Sequence, residues 1–247
     1  MFGEALAGLG NRLGRPKEAA AGEMADAERL DAPAPAPAAE PDAATGGDTA
    51  GAEQIASANE LALAVQASVV RRLVVLSVNA DRDQYGSVEL ARRMASAGLA
   101  TVLIDLTPED RIASKLGIDG DCDGYAELAA GLATLADAIH RDHYTRLHVV
   151  PSHGYELGEA NGADIVQLKT FLGAFAEAYD YTVLEVALLD IERLPEILDE
   201  ETALVVAGHP QLDDLSADLA AALRALGLTD IIYMPSARRG RPEAAAR

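Results

Sequence analysis

The chain has 247 residues, 49% of them apolar, and a formal net charge of −20. That is enough for one α/β domain with an extension, and too acidic for nucleic acid, or for anionic lipid met by the domain as a whole. A single cysteine, Cys122, excludes an internal disulfide and fits a reducing cytoplasm; no apolar run of about 20 residues and no secretory-signal pattern is present.

Residues 1–30 open with a candidate short amphipathic helix. Phe2, Leu6, Leu9 and Leu13 form one stripe, with Arg12, Arg15 and Lys17 beside it. Gly3, Gly8, Gly10 and Gly14 weaken it in isolation, so residues 1–17 are expected to order only in weak contact with a partner or a membrane surface. Residues 31–52 are a Pro/Ala/Gly/Asp linker without the apolar content for a core. The folded unit is expected over 53–235, and residues 236–247 read as a disordered basic tail.

Within 53–235 a helix over 53–71 leads into the apolar strand Arg72–Val78. A polar loop and a helix from Gly86 to Gly98 follow, with Val88, Ala91, Met94 and Ala95 at helical spacing, then a second apolar strand, Ala100–Leu106. The acidic patch from Asp119 to Gly124 begins like a calcium loop, but Ala130 stands where the bidentate Glu belongs, so it reads as a turn capping the next helix. That helix is expected as one piece from Tyr125 to His140, with Leu128, Leu132, Leu135 and Ile139 on a stripe. Further strands are expected at Leu147–Pro151, Tyr181–Leu189, Thr202–Ala207 and Asp230–Met234, with helices over 162–179 and 213–226. His140, His143, His148 and His153 straddle a helix end, a turn and a strand, and no metal site is assigned to them. Strands that alternate with helices specify right-handed crossovers, hence an α/β fold with a parallel, doubly wound sheet.

In such a sheet the loop after the first buried strand lies at the carboxyl edge, where nucleotides bind. A phosphate-binding P-loop needs glycines, a lysine and a Ser or Thr there. The loop instead reads Asn79, Ala80, Asp81, Arg82, Asp83, Gln84, Tyr85, and its two aspartates would repel a polyanion. Tyr85 and Arg82 are candidates to fill the phosphate position with side chains. Asp105 and Glu185, at the ends of two strands, stand at ordinary places for solvated carboxylates.

The framework resembles the cytoplasmic domain of bacterial tyrosine autokinases, P-loop proteins of the ParA/MinD-like fold attached to polysaccharide co-polymerases (chain-length determinants). The likeness runs through Leu90-Ala91, Ala97 to Asp105, Leu116-Gly117-Ile118, Tyr125 to Gly131, Leu147 to Pro151 and Ala178 to Glu185. The resemblance places the P-loop lysine on Asp83 and the Ser/Thr on Gln84. It keeps Asp105 of an Asp-x-Asp motif with Thr107 at the second position. It sets Glu185 at the Walker B aspartate, followed by Ala187-Leu188 in place of a Pro-Pro pair. The helix before the first strand lacks the Glu-x-x-Arg-x-x-Arg assembly pattern, and no tyrosine follows Tyr233.

The resemblance therefore implies a catalytically degenerate, tyrosine-kinase-like regulatory domain with no catalytic residue, no metal and no cofactor. Its expected partner is a polysaccharide co-polymerase or export membrane protein, with homo-oligomer formation as a second association. Its expected place is the cytoplasm, peripheral at the inner membrane. The alternative is a ParA/MinD-type ATPase with an unorthodox loop, in which Asp105 and Glu185 hold magnesium beside ATP. A third reading is a scaffold that supplies only a dimerisation surface.

Overall fold

The computed structural model describes residues 54–80, 85–108, 110–118, 121–209, 211 and 214–235. The stripe of residues 1–17, the linker, the tail and loop residues Asp81, Arg82, Asp83 and Gln84 lie outside the described residues.

Eight strands form one sheet: β1 (Gln54–Ile55), β2 (Arg72–Ser77), β3 (Thr101–Asp105), β4 (His140–Arg141), β5 (His148–Val150), β6 (Tyr181–Glu185), β7 (Thr202–Ala207) and β8 (Ile231–Tyr233). Their order is β1-β8-β7-β2-β6-β3-β5-β4. Every pairing is parallel except β4 with β5. The middle residues of the four central strands are apolar without alternation because helices cover both faces. On one face Leu73, Val75, Leu103, Val183 and Val205 join a core with Leu61 and Val65 of the Ala58–Gln66 helix and Leu90 and Met94 of the Gly86–Ser96 helix. On the other, Val74, Leu76, Ile104, Leu184 and Val206 join Leu168 and Leu172 of the Gly162–Ala178 helix and Leu223 of the Asp214–Ala225 helix.

Two expected helices come out shorter, each for a local reason. The first begins at Ala58 because Ser57 caps it: Ser57 Oγ accepts from Glu60 N–H, and the Glu60 carboxylate accepts from Ser57 N–H at 2.8 Å. That leaves Gln54 and Ile55 to pair with Ile232 and Tyr233 as an edge strand. The expected Tyr125–His140 helix is broken into Tyr125–Ala129 and Leu135–Ala138. Gly131 takes a left-handed φ of 71°, and Thr134 with Asp137 starts a new helix by reciprocal capping. Leu132, expected on the apolar stripe, is left exposed. Among the described residues no helix is long and apolar enough to cross a membrane.

Candidate functional site

Parallel pairing brings the C-terminal ends of β2, β6 and β3 side by side. Asp105 and Glu185 are direct register partners across β3 and β6, and Glu185 lies opposite Val75 of β2. Ser77, two residues beyond Val75, therefore projects to the same face as both acids, and the Gly86–Ser96 helix covers that face.

These two carboxyls were expected to be solvated. The structure corrects this: Asp105 is 0% and Glu185 1% exposed. Ser77 donates to Glu185 twice, from N–H to Oε1 at 3.2 Å and from Oγ to Oε2 at 2.9 Å. Ser77 Oγ in turn accepts the Gly86 N–H at 2.9 Å. Asp105 Oδ1 accepts from Thr107 N–H at 2.9 Å and from Thr107 Oγ1 at 2.6 Å, while Asp105 Oδ2 has no hydrogen-bond partner among the described residues. Burial pushes Asp105 up to about 7 and Glu185 up to about 8, against hydrogen bonds that favour the ions. Asp105 raises Glu185 further, and Asp110 raises Asp105. Ser87 Oγ is fully buried beside Glu185 and, with Ser77, favours the ionised carboxyl against the larger effect of burial. The site holds two acids in a dry place where protonation costs less than charge.

The approach of the helix depends on Gly86. A Cβ there would collide with Ala207 Cβ and come within 3.0 Å of Met234 Cε. The first amide of the helix is thereby pressed down onto Ser77 and closed off. Of the loop residues singled out in the sequence, Asn79 and Ala80 are half-buried and Tyr85 is buried in the core on the helix side. The Lys115 ammonium lies over the Tyr85 ring, 5.5 Å from its centroid. Sequence separation hid Lys115, because the Arg111–Leu116 helix that carries it lies beyond β3. Arg92, on the helix that follows the loop, forms a bidentate pair with buried Asp142 at 2.8 and 3.0 Å.

The histidines take separate partners. His148 Nδ1 meets Tyr179 OH at 2.7 Å, His140 Nε2 meets the Asp123 carbonyl at 2.6 Å, and His153 Nδ1 meets Glu127 Oε2 at 3.0 Å. Next to the acid pair, at the end of β5, Asp110 Oδ1 accepts from Ser152 Oγ at 3.0 Å and from His153 N–H at 2.6 Å.

Among solved structures the chain superposes on the kinase domain of the Escherichia coli tyrosine kinase ETK with a TM-score of 0.54 and 13% identity, over 76% of this chain and 80% of that one. The kinase domain of VpsO gives 0.52 and 19%, covering 67% and 85%. The BceF tyrosine kinase domain gives 0.51 and 18%, covering 72% and 76%. The likeness is one of fold. No family model and no curated protein matches the sequence. The α/β, mostly parallel sheet expected from the alternation of elements is the one observed.

Proposed function

We propose that the chain is a tyrosine-kinase-like domain that has given up catalysis and regulates the polymerisation or export of an exopolysaccharide or capsule by docking on a membrane co-polymerase. The observation that carries this is the closed chain Gly86 N–H to Ser77 Oγ to Glu185. A phosphate cradle needs the amides at the start of that helix to face the ligand. Here the first one is turned inward onto a serine, and the carboxyl behind it is sealed and raised toward its neutral form. These residues fit a magnesium triphosphate poorly. The fold likeness to three kinase domains supports the lineage of the scaffold, and the loop of Asn79 to Tyr85 supports the loss of the reaction.

A second reading, an ATPase with an unorthodox loop, draws on two specific observations. Lys115 brings an ammonium to Tyr85, and Asp105 Oδ2 has no donor among the described residues. The regulatory reading is tested by deleting the chain from a cell that exports polysaccharide and measuring polymer length, together with binding of the purified chain to the purified co-polymerase. A changed length distribution with direct binding is expected; an unchanged distribution without binding overturns it.

A further inference from the structure

At the end of β5 the fold builds a second constellation that the kinase-like reading does not use. Cys122 Sγ lies 3.7 Å from His153 Nε2, within reach of a sulfur hydrogen bond, and the other ring nitrogen of His153 lies 3.0 Å from Glu127 Oε2. Burial acts to raise Glu127, but hydrogen bonds from Gly124 N–H and from His153 hold its carboxyl below the usual range. A carboxylate only accepts hydrogen bonds, so Nδ1 carries the proton and Nε2 is left as a lone-pair acceptor facing the thiol. Nucleophile, base and orienting acid thus stand in sequence.

The backbone is arranged to hold this contact. His153 and Asp110 are the two non-glycine residues with left-handed φ among the described residues, at 51° and 44°, and the Asp110 carboxylate fixes the His153 N–H. Gly124 lets the loop carrying Cys122 press against the β5 end. A Cβ there would stand 2.6 Å from the Pro151 carbonyl oxygen and 3.0 Å from His153 Cγ. Cys122 is half-buried, and its sequence neighbours Asp121 and Asp123 are exposed.

We propose that Cys122 is a modification site, a thiol made nucleophilic by His153 and Glu127, that reacts with small neutral hydroperoxides. His153 Nε2 takes the thiol proton, and the thiolate attacks the terminal oxygen of R–O–O–H. The S–O bond forms as the O–O bond breaks, and the imidazolium returns its proton to the departing R–O⁻. Sulfur is oxidised to the sulfenic acid and the hydroperoxide is reduced to the alcohol, so Cys–SH and ROOH give Cys–SOH and ROH. The charged groups around the pair are Glu127 on the His153 ring, Asp110 on the His153 N–H, and Asp121 and Asp123, which adjoin Cys122 in sequence, with His140 held on the Asp123 carbonyl. The thiolate–imidazolium pair is net neutral, and the exposed acids on either side of Cys122 in sequence disfavour an anionic reagent.

The chain's single cysteine makes the test unambiguous. The second-order rate of Cys122 alkylation by iodoacetamide is measured on the full chain from pH 5 to 9 by mass, with iodoacetate as the anionic probe. Hydrogen peroxide followed by a sulfenic-acid trap reads the oxidation. An ordinary thiol is about 1% ionised two pH units below its pKa of about 8.5. The account predicts a wild-type rate at pH 6.5 at least tenfold above His153→Ala and severalfold above Glu127→Gln, with all three converging at pH 9. It also predicts a preference for iodoacetamide over iodoacetate larger than that of free cysteine, and one trapped sulfenic acid per chain that Cys122→Ser removes. A wild-type profile with its midpoint at or above 8.5 overturns the proposal on its own, whatever the variants do. So does a His153→Ala profile that superimposes on the wild type.

Discussion

Two ends of the same sheet edge carry carboxyl groups and treat them in opposite ways. At the β2–β6–β3 end, Glu185 and Asp105 are sealed under the Gly86–Ser96 helix and are raised toward their neutral forms. At the β5 end, Glu127 is 31% and His153 15% exposed, and the carboxyl is held ionised against a histidine. The residue types are the same and the distance along the sheet is two strands. Water access and the number of N–H donors decide which carboxyl keeps its charge.

Forcing the sealed end open has the largest expected effect. Gly86→Val places side-chain atoms into Ala207 and Met234, and overpacking of this kind costs about 2–3 kcal/mol. For a chain of this size that is a fall of roughly 5–10 °C in the thermal midpoint. Alkylation of Cys122 in this variant should keep its wild-type pH profile below the transition, because the β5 end does not lean on Gly86.

The pH dependence of stability separates the ends next. A carboxyl whose folded pKa is raised binds a proton in the native state that the unfolded chain has already released. The stability it contributes is present below the unfolded value of about 4 and is lost as pH rises. For Asp105 and Glu185 the loss runs up to about pH 7 to 8 and then levels off. Glu127 has the reverse sign, since its lowered pKa gives stability that is lost as pH falls below about 4. Glu185→Gln should flatten the upper limb and raise the midpoint at pH 8 by roughly 2–4 °C, about the effect of one pKa unit or 1.4 kcal/mol. Thermal melts from pH 4 to 9 check both signs. A midpoint that climbs between pH 5 and 8 contradicts the sealed pair.

A smaller change is expected at the open end. Asp110→Ala removes the acceptor of two hydrogen bonds and leaves a left-handed alanine, a loss of about 1–2 kcal/mol. Asp110→Asn keeps an acceptor and tolerates that backbone, so its loss should be under about 0.5 kcal/mol. Chemical denaturation of the two variants distinguishes them. Equal losses would mean that neither the acceptor nor the φ matters.

The sheet was legible because β2, β3, β6 and β7 are uninterrupted apolar runs between helical spacings, and such runs have few alternatives. β1 and β4 were not, since two residues carry no periodicity. The helix break at Gly131 was written in Thr134 and Asp137, a capping pair that the stripe Leu128, Leu132, Leu135, Ile139 outweighed in the reading. Asp105 and Glu185 could be placed at strand ends from sequence. Their burial could not, because it depends on how closely the Gly86 helix approaches, which Ala207 and Met234, distant in sequence, set. The Cys122–His153 contact gave no signal at all. It joins residues 31 apart through the close approach at Gly124 and the left-handed φ of His153.

Under the proposed function the β2–β6–β3 end of the sheet takes up no nucleotide, and thermal unfolding with and without saturating Mg-ATP tests this directly. A ligand present at 100 times its dissociation constant adds about 2.7 kcal/mol to stability. In a chain of this size that would raise the midpoint by roughly 5–10 °C. The account predicts no shift beyond scatter for the wild type. A shift of that size, lost in Asp105→Ala or in Lys115→Ala, would contradict it and establish the ATPase reading.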